Sequence, residues 1–517
     1  MVWLALAVGA CGSAPPPAAE SPRRPTPEVA LPPLPWLAER RIAGPPRSPM
    51  VALRGGTVMT AAGAIIPRGV VLMHNGRIEA VGPVDDTQVP EGAIVVDTTG
   101  RFVTPGIIDA HSHMGVYASP GLVATDDGNE ATSPVTAQIS AEDAFWPQDP
   151  QLQRALRAGV TSILVLPGSA NLVGGRGVVF KLHLGRSADE MRFPGAPDSL
   201  KIACGENPRR VYGVEREAFP STRMGNLAGY RASFQQAVEY GRSWRTWQHT
   251  WRLWRQKRIK YERDLREHRA ARRRAQSGAA ATATADGGAE TPTEPEDPGP
   301  EPAPPARDFG LETLLGAIEG RVLVQNHCYR AEEMVRMMRL GRELGFGIRA
   351  FHHAVEAYKI RDLLAEADVG IATWVDWWGF KLEAYDAIPE NLALLTEAGV
   401  RAVLHSDSAM LVQRLNQEAG KGMRYGRDAG IPITEDQALR WITANPAWAI
   451  GVDQQTGSIE PGKMADVVVW SQSPFSVYAR ADLVFVDGLL AWDRHTPGSL
   501  PPTDFEVGQG SNPGGAR

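Results

Sequence analysis

The sequence predicts an α/β fold, in which a barrel of parallel strands covered by helices is joined to a small β-sandwich built from both ends of the chain. Short apolar runs alternate with helical patterns through the middle of the chain, which is typical of a parallel sheet covered by helices. The chain has 517 residues and 43% hydrophobic content, enough for a barrel-sized domain and an accessory domain. We therefore predict a TIM-type (β/α)8 barrel, whose functional sites lie at the carboxyl ends of its strands.

Short strands near both ends of the chain predict the accessory domain. Residues 50–103 contain apolar runs separated by glycine turns, and Asn75-Gly76 is a strong hairpin signal. Runs of the same kind return within residues 456–496. We expect the two pieces to form one small β-sandwich, which the barrel of residues 104–455 interrupts.

One segment, residues 229–306, breaks the alternation of strands and helices. Residues 229–275 have a helical pattern rich in Arg, and the rest is rich in Ala, Thr and Gly and then in Pro and Glu, a composition that does not fold alone. We expect an insertion in a barrel loop, made of a charged helix and a disordered return. We expect the arginines to form a solvent-exposed face of the helix; the alternative is that they bind an anionic partner. The tryptophans predicted to pack this helix on the body are Trp244, Trp247, Trp251 and Trp254.

The N-terminus carries a short apolar run that ends in Val8-Gly9-Ala10-Cys11, and residues 12–49 are rich in Pro and Ala. The run resembles a bacterial lipoprotein signal over residues 1–11. We expect a lipid on Cys11 to anchor the protein to a membrane on the periplasmic side of the cell envelope, with residues 12–49 as a tether. If the run is not a signal, a cytoplasmic location is expected. Residues 497–517 are predicted to be a disordered tail.

Charge and cysteine content limit the partners and the chemistry. The net charge of −5 does not suggest a nucleic-acid partner. Apart from Cys11, the cysteines are Cys204 and Cys328, each in a short apolar run. Two cysteines make no disulfide framework, so we expect buried free thiols, with a single bridge left open.

Metal-ligand residues stand at the ends of several predicted strands. His111 and His113 follow an apolar run, and on a strand this spacing places both imidazoles on one face. His327, His353 and Asp407 end further runs. Because strand ends meet at one rim of a barrel, these nitrogen and oxygen donors should converge there. We expect one or two Zn²⁺ ions, or another divalent metal, and hydrolysis by metal-activated water with a carboxylate moving the proton.

Taken together, these segments resemble the amidohydrolase superfamily, close to its imidazolonepropionase-like and prolidase-like metal-dependent hydrolases. The resemblance implies hydrolysis of an amide or cyclic amide C–N bond in a small-molecule amide or dipeptide. A deaminase or a proline-specific dipeptidase of the same superfamily is the alternative enzyme. A non-catalytic cell-envelope binding protein is the alternative outside enzymes. The matching segments are residues 104–113, 158–162, 356–360 after His353, 405–407 and 457–466.

The resemblance also assigns roles to these residues. His111 and His113 resemble ligands of the first barrel strand, and His327 and His353 those of the fifth and sixth. Asp407 resembles the eighth-strand aspartate, a ligand that also carries the catalytic proton. We expect Asp407 and His353 to take part in catalysis.

Three positions around this ligand set stay open. The fourth-strand ligand is either Lys201, resembling a carboxylated lysine that bridges two metals, or Glu206, which we prefer slightly because it follows the strand end. A one-residue slip would exchange His352 for His353. His405 shares a strand face with Asp407 and is a candidate for a residue that contacts and orients the metal ligands without binding the metal itself.

A glycine-rich loop at residues 168–177 lacks the lysine and the helix start of a phosphate-binding loop, so we expect it to contact substrate. The candidates for binding a substrate carboxylate are Arg176, Arg209 and Tyr212, with Arg210 and Arg223 as further basic residues near them.

Overall fold

The computed structural model describes residues 29–37, 47–276 and 293–496. Cys11, most of the predicted tether and the predicted tail of residues 497–517 lie outside these ranges. Among the described residues, no helix is both long enough and apolar enough to cross a bilayer.

The strands group into one barrel sheet and two smaller sheets. In chain order they are β1 (Val51–Arg54), β2 (Thr57–Met59), β3 (Ile65–Ile66), β4 (Gly69–His74), β5 (Arg77–Pro83), β6 (Ile94–Asp97), β7 (Phe102–Pro105), β8 (Ile107–Ser112), β9 (Val160–Val165), β10 (Val173–Lys181), β11 (Ser199–Ala203), β12 (Leu323–Cys328), β13 (Ile348–His353), β14 (Gly370–Thr373), β15 (Ala402–Leu404), β16 (Val467–Trp470), β17 (Ala481–Val486) and β18 (Leu489–Asp493).

Helices follow most of the barrel strands in the chain. They are α1 (Ala141–Ala144), α2 (Pro150–Arg157), α3 (Ala188–Met191), α4 (Glu206–Arg209), α5 (Arg223–Gln276), α6 (Phe309–Ile318), α7 (Ala331–Leu344), α8 (Arg361–Glu366), α9 (Asn391–Glu397), α10 (Leu415–Asp428), α11 (Glu435–Arg440) and α12 (Ala444–Ala449). Short 3₁₀ segments span Pro35–Leu37, Val123–Thr125, Ala357–Ile360, Leu382–Ala384 and Leu411–Arg414, and a π-helical segment spans Arg210–Val214.

The barrel sheet has eight strands in sequential order from β8 to β15, which confirms the predicted α/β barrel. The prediction that all its strands are parallel was wrong. β10 runs antiparallel to both β9 and β11. The seven residues between β9 and β10 hold no helix, and a short connection of this kind can join only antiparallel strands.

The two edge strands of the barrel, β8 and β15, are joined by other contacts in place of a strand ladder. Ser406 N donates to Asp109 Oδ1 at 3.0 Å, and Asp407 N donates to the carbonyl of His111 at 3.1 Å. The backbone of residues 441–442 fills the rest of the gap, with carbonyls that accept from Leu404 N and Ile108 N, both at 2.9 Å. The barrel therefore closes beside His111 and Asp407.

Strands from both ends of the chain form the predicted sandwich. One sheet has the order β5-β4-β1-β6 and the other β18-β17-β16-β7-β2-β3. The two sheets share an apolar core that includes Leu53, Val71, Val467 and Phe485. β7 leads into the barrel through Gly106, where a Cβ atom would lie 2.1 Å from Thr161 Oγ1, so only glycine fits.

The described residues fall into two compact units. The smaller unit contains residues 29–37, the part of α5 from residue 243 onward, and residues 293–305. The predicted charged helix is present as α5, which is 54 residues long.

Within this smaller unit, the prediction of a disordered return was wrong for part of that segment. The indole N–H of Trp247 donates to Pro302 O at 3.0 Å and that of Trp254 to Gly299 O at 2.9 Å. Trp251 Nε1 donates to Glu301 Oε1 at 2.6 Å. The predicted disordered return is therefore ordered at residues 299–302, and these tryptophans bind it. A composition unable to form its own core can still order along a helix that offers indole donors.

Candidate active site

The ends of β8 and β15 bring two histidines and one carboxylate together. His113 Nε2 lies 3.2 Å from Asp407 Oδ1 and 3.3 Å from His111 Nε2. His111 Nε2 lies 3.6 Å from the same carboxylate oxygen. His113 Nδ1 lies 2.7 Å from the carbonyl of Leu166, which accepts a hydrogen bond from the Nδ1 proton, so the Nε2 lone pair of the ring points into the cluster.

The ends of β12 and β13 add His327 and His353. Their ring centroids lie 4.4 Å apart, and His353 Nδ1 lies 3.8 Å from Asp407 Oδ2. His405 Nε2 accepts from His353 N at 3.3 Å. All three histidines are buried.

His352 and His353 both face the barrel interior, although neighbours on a regular strand point to opposite faces. His353 and Ala354 have φ values of +70° and +38°, so the strand bends where it ends. This left-handed backbone turns His353 toward Asp407, while His352 remains against His111. Strand alternation alone predicted only one of the two histidines inside.

Of the two candidates for the fourth-strand ligand, Lys201 lies in the cluster. Lys201 is 1% exposed, and its Nζ lies 3.4 Å from His111 Nε2. Glu206 begins α4, and its Oε1 lies 3.4 Å from Lys381 Nζ. The geometry thus opposes the slight preference for Glu206. Glu206 starts a helix beyond the strand, and its carboxylate pairs with a lysine there.

The donor set fits a divalent metal. Within the described part of the chain, Nδ1 of His327 and Nδ1 of His353 are buried without a hydrogen-bond partner. Donor atoms of His111, His113 and Asp407 all lie within 4.8 Å of one another, as do those of His111, His353 and His405. Unpaired buried ring nitrogens beside a carboxylate form the kind of ligand set that zinc takes.

Burial controls protonation in this cluster. It lowers the pKa of His111, His327 and His353 well below the ordinary histidine value and that of His405 to about 3, which leaves neutral imidazoles. Burial alone would raise the pKa of Asp407, but the adjacent nitrogen groups, His113 first and then His405 and Lys201, outweigh it and lower that pKa. The cluster thus combines neutral nitrogen donors with an ionised carboxylate.

Asp109 is a buried carboxylate that the sequence reading missed. It accepts from Ser406 N at 3.0 Å, from the Ser406 hydroxyl, and from His111 N at 3.3 Å. Burial raises its pKa to about 7. An aspartate two residues before His111 inside an apolar strand was the available signal, because an acid rarely lies in such a run without a partner.

An aromatic wall also went unpredicted. The ring of Trp374, which follows β14, lies nearly parallel to His353 with centroids 4.5 Å apart. Trp377 stacks on Trp374 at 4.7 Å, and Phe380, 53% exposed, meets both rings edge-on. Tyr329 lies 5.1 Å from His353. Aromatic rings thus run from the histidine cluster out to solvent.

The predicted substrate residues do not gather around the cluster. Arg176 pairs with Asp198 at 3.3 Å, next to the first residue of β11 and so at the opposite end of that strand from the cluster. The hydroxyl of Tyr212 donates to the carbonyl of Ser133 at 2.6 Å and accepts from Asn171 Nδ2 at 3.1 Å. Arg209 is exposed on α4. Arg176 and Tyr212 therefore have structural partners.

The same is true of the further basic residues. Arg210 pairs with Glu215, and Arg223 pairs with Glu333 and with Glu383. These ion pairs occupy the guanidinium groups that were considered for a substrate carboxylate.

Cys204 and Cys328 form a disulfide, with Cα atoms 5.3 Å apart, so the expectation of free thiols was wrong. The register of β11 and β12 pairs Ala203 with His327, which places the next residue of each strand side by side. The bridge joins the two strands that carry Lys201 and His327.

Comparison with known proteins identifies the family. An amidohydrolase from Thermotoga maritima MSB8, solved by crystallography, is 32% identical, with a TM-score of 0.68 over 86% of this chain and 100% of that one. The chain belongs to the amidohydrolase family. The family's sequence pattern matches residues 318–489 of this amidohydrolase.

Two curated relatives match over a smaller share of their own lengths. Amidohydrolase tasK of Hapsidospora irregularis is 33% identical over 440 residues, which is 82% of this amidohydrolase and 40% of the relative. Imidazolonepropionase of Klebsiella pneumoniae strain 342 is 32% identical over 118 residues, 20% of this chain and 28% of that protein. The chain thus spans less than half the length of these curated relatives.

Proposed function

We propose that this amidohydrolase is a metal-dependent hydrolase of amide or cyclic amide C–N bonds in small molecules. The observation that carries the proposal is the convergence of neutral, unpaired histidine nitrogens and one ionised carboxylate at the strand ends. His111, His113, His327, His353 and Asp407 would hold the metal. One or two zinc ions suit these donors, and a bound ion of this kind acidifies water and polarises a carbonyl.

Asp407 is the proton carrier in this proposal. Its lowered pKa keeps the carboxylate ionised, and only the ionised form can accept a proton from the attacking water. The proton held on Asp407 then passes to the leaving nitrogen, so that the C–N bond breaks with loss of a neutral amine. His113 Nε2 lies 3.2 Å from this carboxylate and would share the metal with it.

Lys201 is the residue we propose as the bridge if two ions bind. Burial lowers its pKa to about 8, so at pH 7 roughly a tenth of its amine is uncharged. Only an uncharged amine can react with carbon dioxide to give the carbamate that the family resemblance implies.

The aromatic wall gives a flat or apolar substrate group a surface next to this site.

Replacing Asp407 with asparagine tests the catalytic role. Asp407→Asn keeps the shape and one oxygen donor but cannot carry a proton, so we expect hydrolysis of a responsive amide to fall by about 10²- to 10⁴-fold while bound zinc remains. Turnover and zinc per chain would be measured on the same samples. Unchanged turnover in a metal-loaded Asp407→Asn protein would overturn the proposed role.

We also propose that the protein is held on the periplasmic side of a bacterial envelope by a lipid on Cys11. The Cys204–Cys328 disulfide supports this, because disulfides persist mainly in oxidising compartments. Labelled palmitate fed to a bacterial host expressing the gene should enter the wild-type protein and be absent from Cys11→Ser. Equal labelling, or none in either protein, would contradict the anchor.

A further inference from the structure

Behind His111, away from the proposed metal, two buried side chains continue a hydrogen-bonded chain. His111 Nδ1 lies 2.8 Å from His352 Nδ1, and His352 Nε2 lies 2.7 Å from Gln325 Oε1. The amide nitrogen of Gln325 donates to the carbonyl of Ala449 at 2.9 Å. All three side chains are completely buried.

The backbone carbonyl fixes the direction of every proton in this chain. A carbonyl can only accept, so the Gln325 amide must present its NH₂ group to Ala449 and its oxygen to His352. His352 must then carry its proton on Nε2. This leaves a lone pair on His352 Nδ1, so the facing Nδ1 of His111 must be the protonated atom.

This order of protons requires His352 to be neutral. His352 is 0% exposed, and its two ring nitrogens face an imidazole and an amide oxygen, so a charged ring there would be buried without a carboxylate partner. With its only proton on Nδ1, His111 has its lone pair on Nε2. That atom faces His113 Nε2 at 3.3 Å and Asp407 Oδ1 at 3.6 Å.

We propose that His352 and Gln325 are positioning residues that use the Ala449 carbonyl to lock His111 in the Nδ1-protonated tautomer, with its Nε2 lone pair aimed at the metal. This inference rests on the metal site of the proposed function. A ligand whose tautomer is set in advance binds metal without first moving a proton or rotating the ring.

The first test is spectroscopic and uses the full-length, metal-free protein labelled with ¹⁵N-histidine. Two-bond ¹H–¹⁵N correlations distinguish the two neutral tautomers. We expect His111 to be protonated on Nδ1 and His352 on Nε2, with assignments from His111→Gln and His352→Gln spectra. A His111 ring protonated on Nε2 overturns the proposal, whether or not the protein binds zinc.

The second test compares two variants of Gln325 by zinc competition titration. Gln325→Leu removes the acceptor, so we expect zinc to bind about 10- to 100-fold more weakly. Gln325→Glu is the matched control, since a protonated carboxyl can donate to Ala449 and still accept from His352; it should keep near-wild-type affinity. Equal affinity in Gln325→Leu and wild type overturns the proposal.

The two tests separate this inference from the proposed function. A wild-type protein that binds no zinc would contradict the proposed function. The tautomers of His111 and His352 would still show whether His111 is held in the Nδ1-protonated form. If Gln325→Leu does not fold, the spectra of the wild-type protein and of Gln325→Glu give the decision. In Gln325→Glu, His352 is expected to stay protonated on Nε2.

Discussion

At the residue scale, the site depends on side chains whose charge is set by burial. Lys201 shows this most directly, since it lies inside the barrel with its amine 3.4 Å from His111 Nε2. Asp407 and His353 also have φ values of +49° and +70°, a left-handed backbone that non-glycine residues rarely adopt. Strain of this kind is characteristic of functional positions.

The lowered pKa of Lys201 makes a prediction about stability. Burial lowers it from 10.5 to about 8, so between these pH values the unfolded chain binds a proton that the folded chain does not. The contribution of Lys201 to the free energy of unfolding should therefore rise as pH rises from 8 to 10.5. Urea unfolding of the metal-free wild type and of Lys201→Met across this range measures it. Parallel curves for the two proteins would contradict the assigned shift.

Most of the proposed ligands could be predicted from the sequence, because the end of a strand is visible there as a break in an apolar run. Sequence reasoning could not choose between Lys201 and Glu206, since that choice depends on where β11 leaves the barrel wall. It also missed Trp374 and Asp109. In the sequence, Trp374 cannot be distinguished from a core residue. The partner of Asp109 is Ser406, which lies 297 residues away along the chain.

At the element scale, a buried ion cluster links a barrel strand to the sandwich. Lys181, in β10, lies 2.9 Å from Asp466, which precedes β16, and also contacts Asp487, which follows β17. The three side chains are between 0% and 7% exposed. Burial, with Asp466 close by, raises the pKa of Asp487, so both carboxylates depend on the lysine.

Removing the lysine should destabilise the protein strongly. Lys181→Met leaves two buried carboxylates without a cation, and we expect the free energy of unfolding to fall by about 3–5 kcal/mol. Arg186→Met is the matched control, because the Arg186 side chain is 90% exposed in its pair with Glu190. We expect this variant to lose much less stability than Lys181→Met, since exposed ion pairs contribute little. Denaturant unfolding measures the free energy of unfolding of both variants. Losses of similar size would contradict a stabilising role for the buried ion cluster.

The alternation of strands and helices predicted the order of the barrel strands but not the direction of β10. The direction of β10 depends on the short link after β9, which the sequence reading treated as a substrate loop within a parallel sheet. The insertion shows the same limit, because the return segment orders through indole donors on α5.

At the scale of the whole molecule, the fold joins one barrel to one sandwich and presents its histidines at the end of the barrel where substrates bind in this architecture. Composition and hydrophobic periodicity were sufficient to predict this arrangement, because both depend on local pattern. The substrate depends on the loops around the aromatic wall, and such loops vary independently of the fold.

The central claim is that these converging side chains hold a catalytic metal. Metal content per chain, measured by mass spectrometry on the full-length protein purified without chelator, tests it most directly. We expect one or two tightly held zinc-like ions per chain, and their loss in a His111→Ala, His113→Ala double variant that still folds. A folded wild-type protein that retains no metal, even after incubation with zinc, would contradict the hydrolase and favour a non-catalytic envelope binding protein.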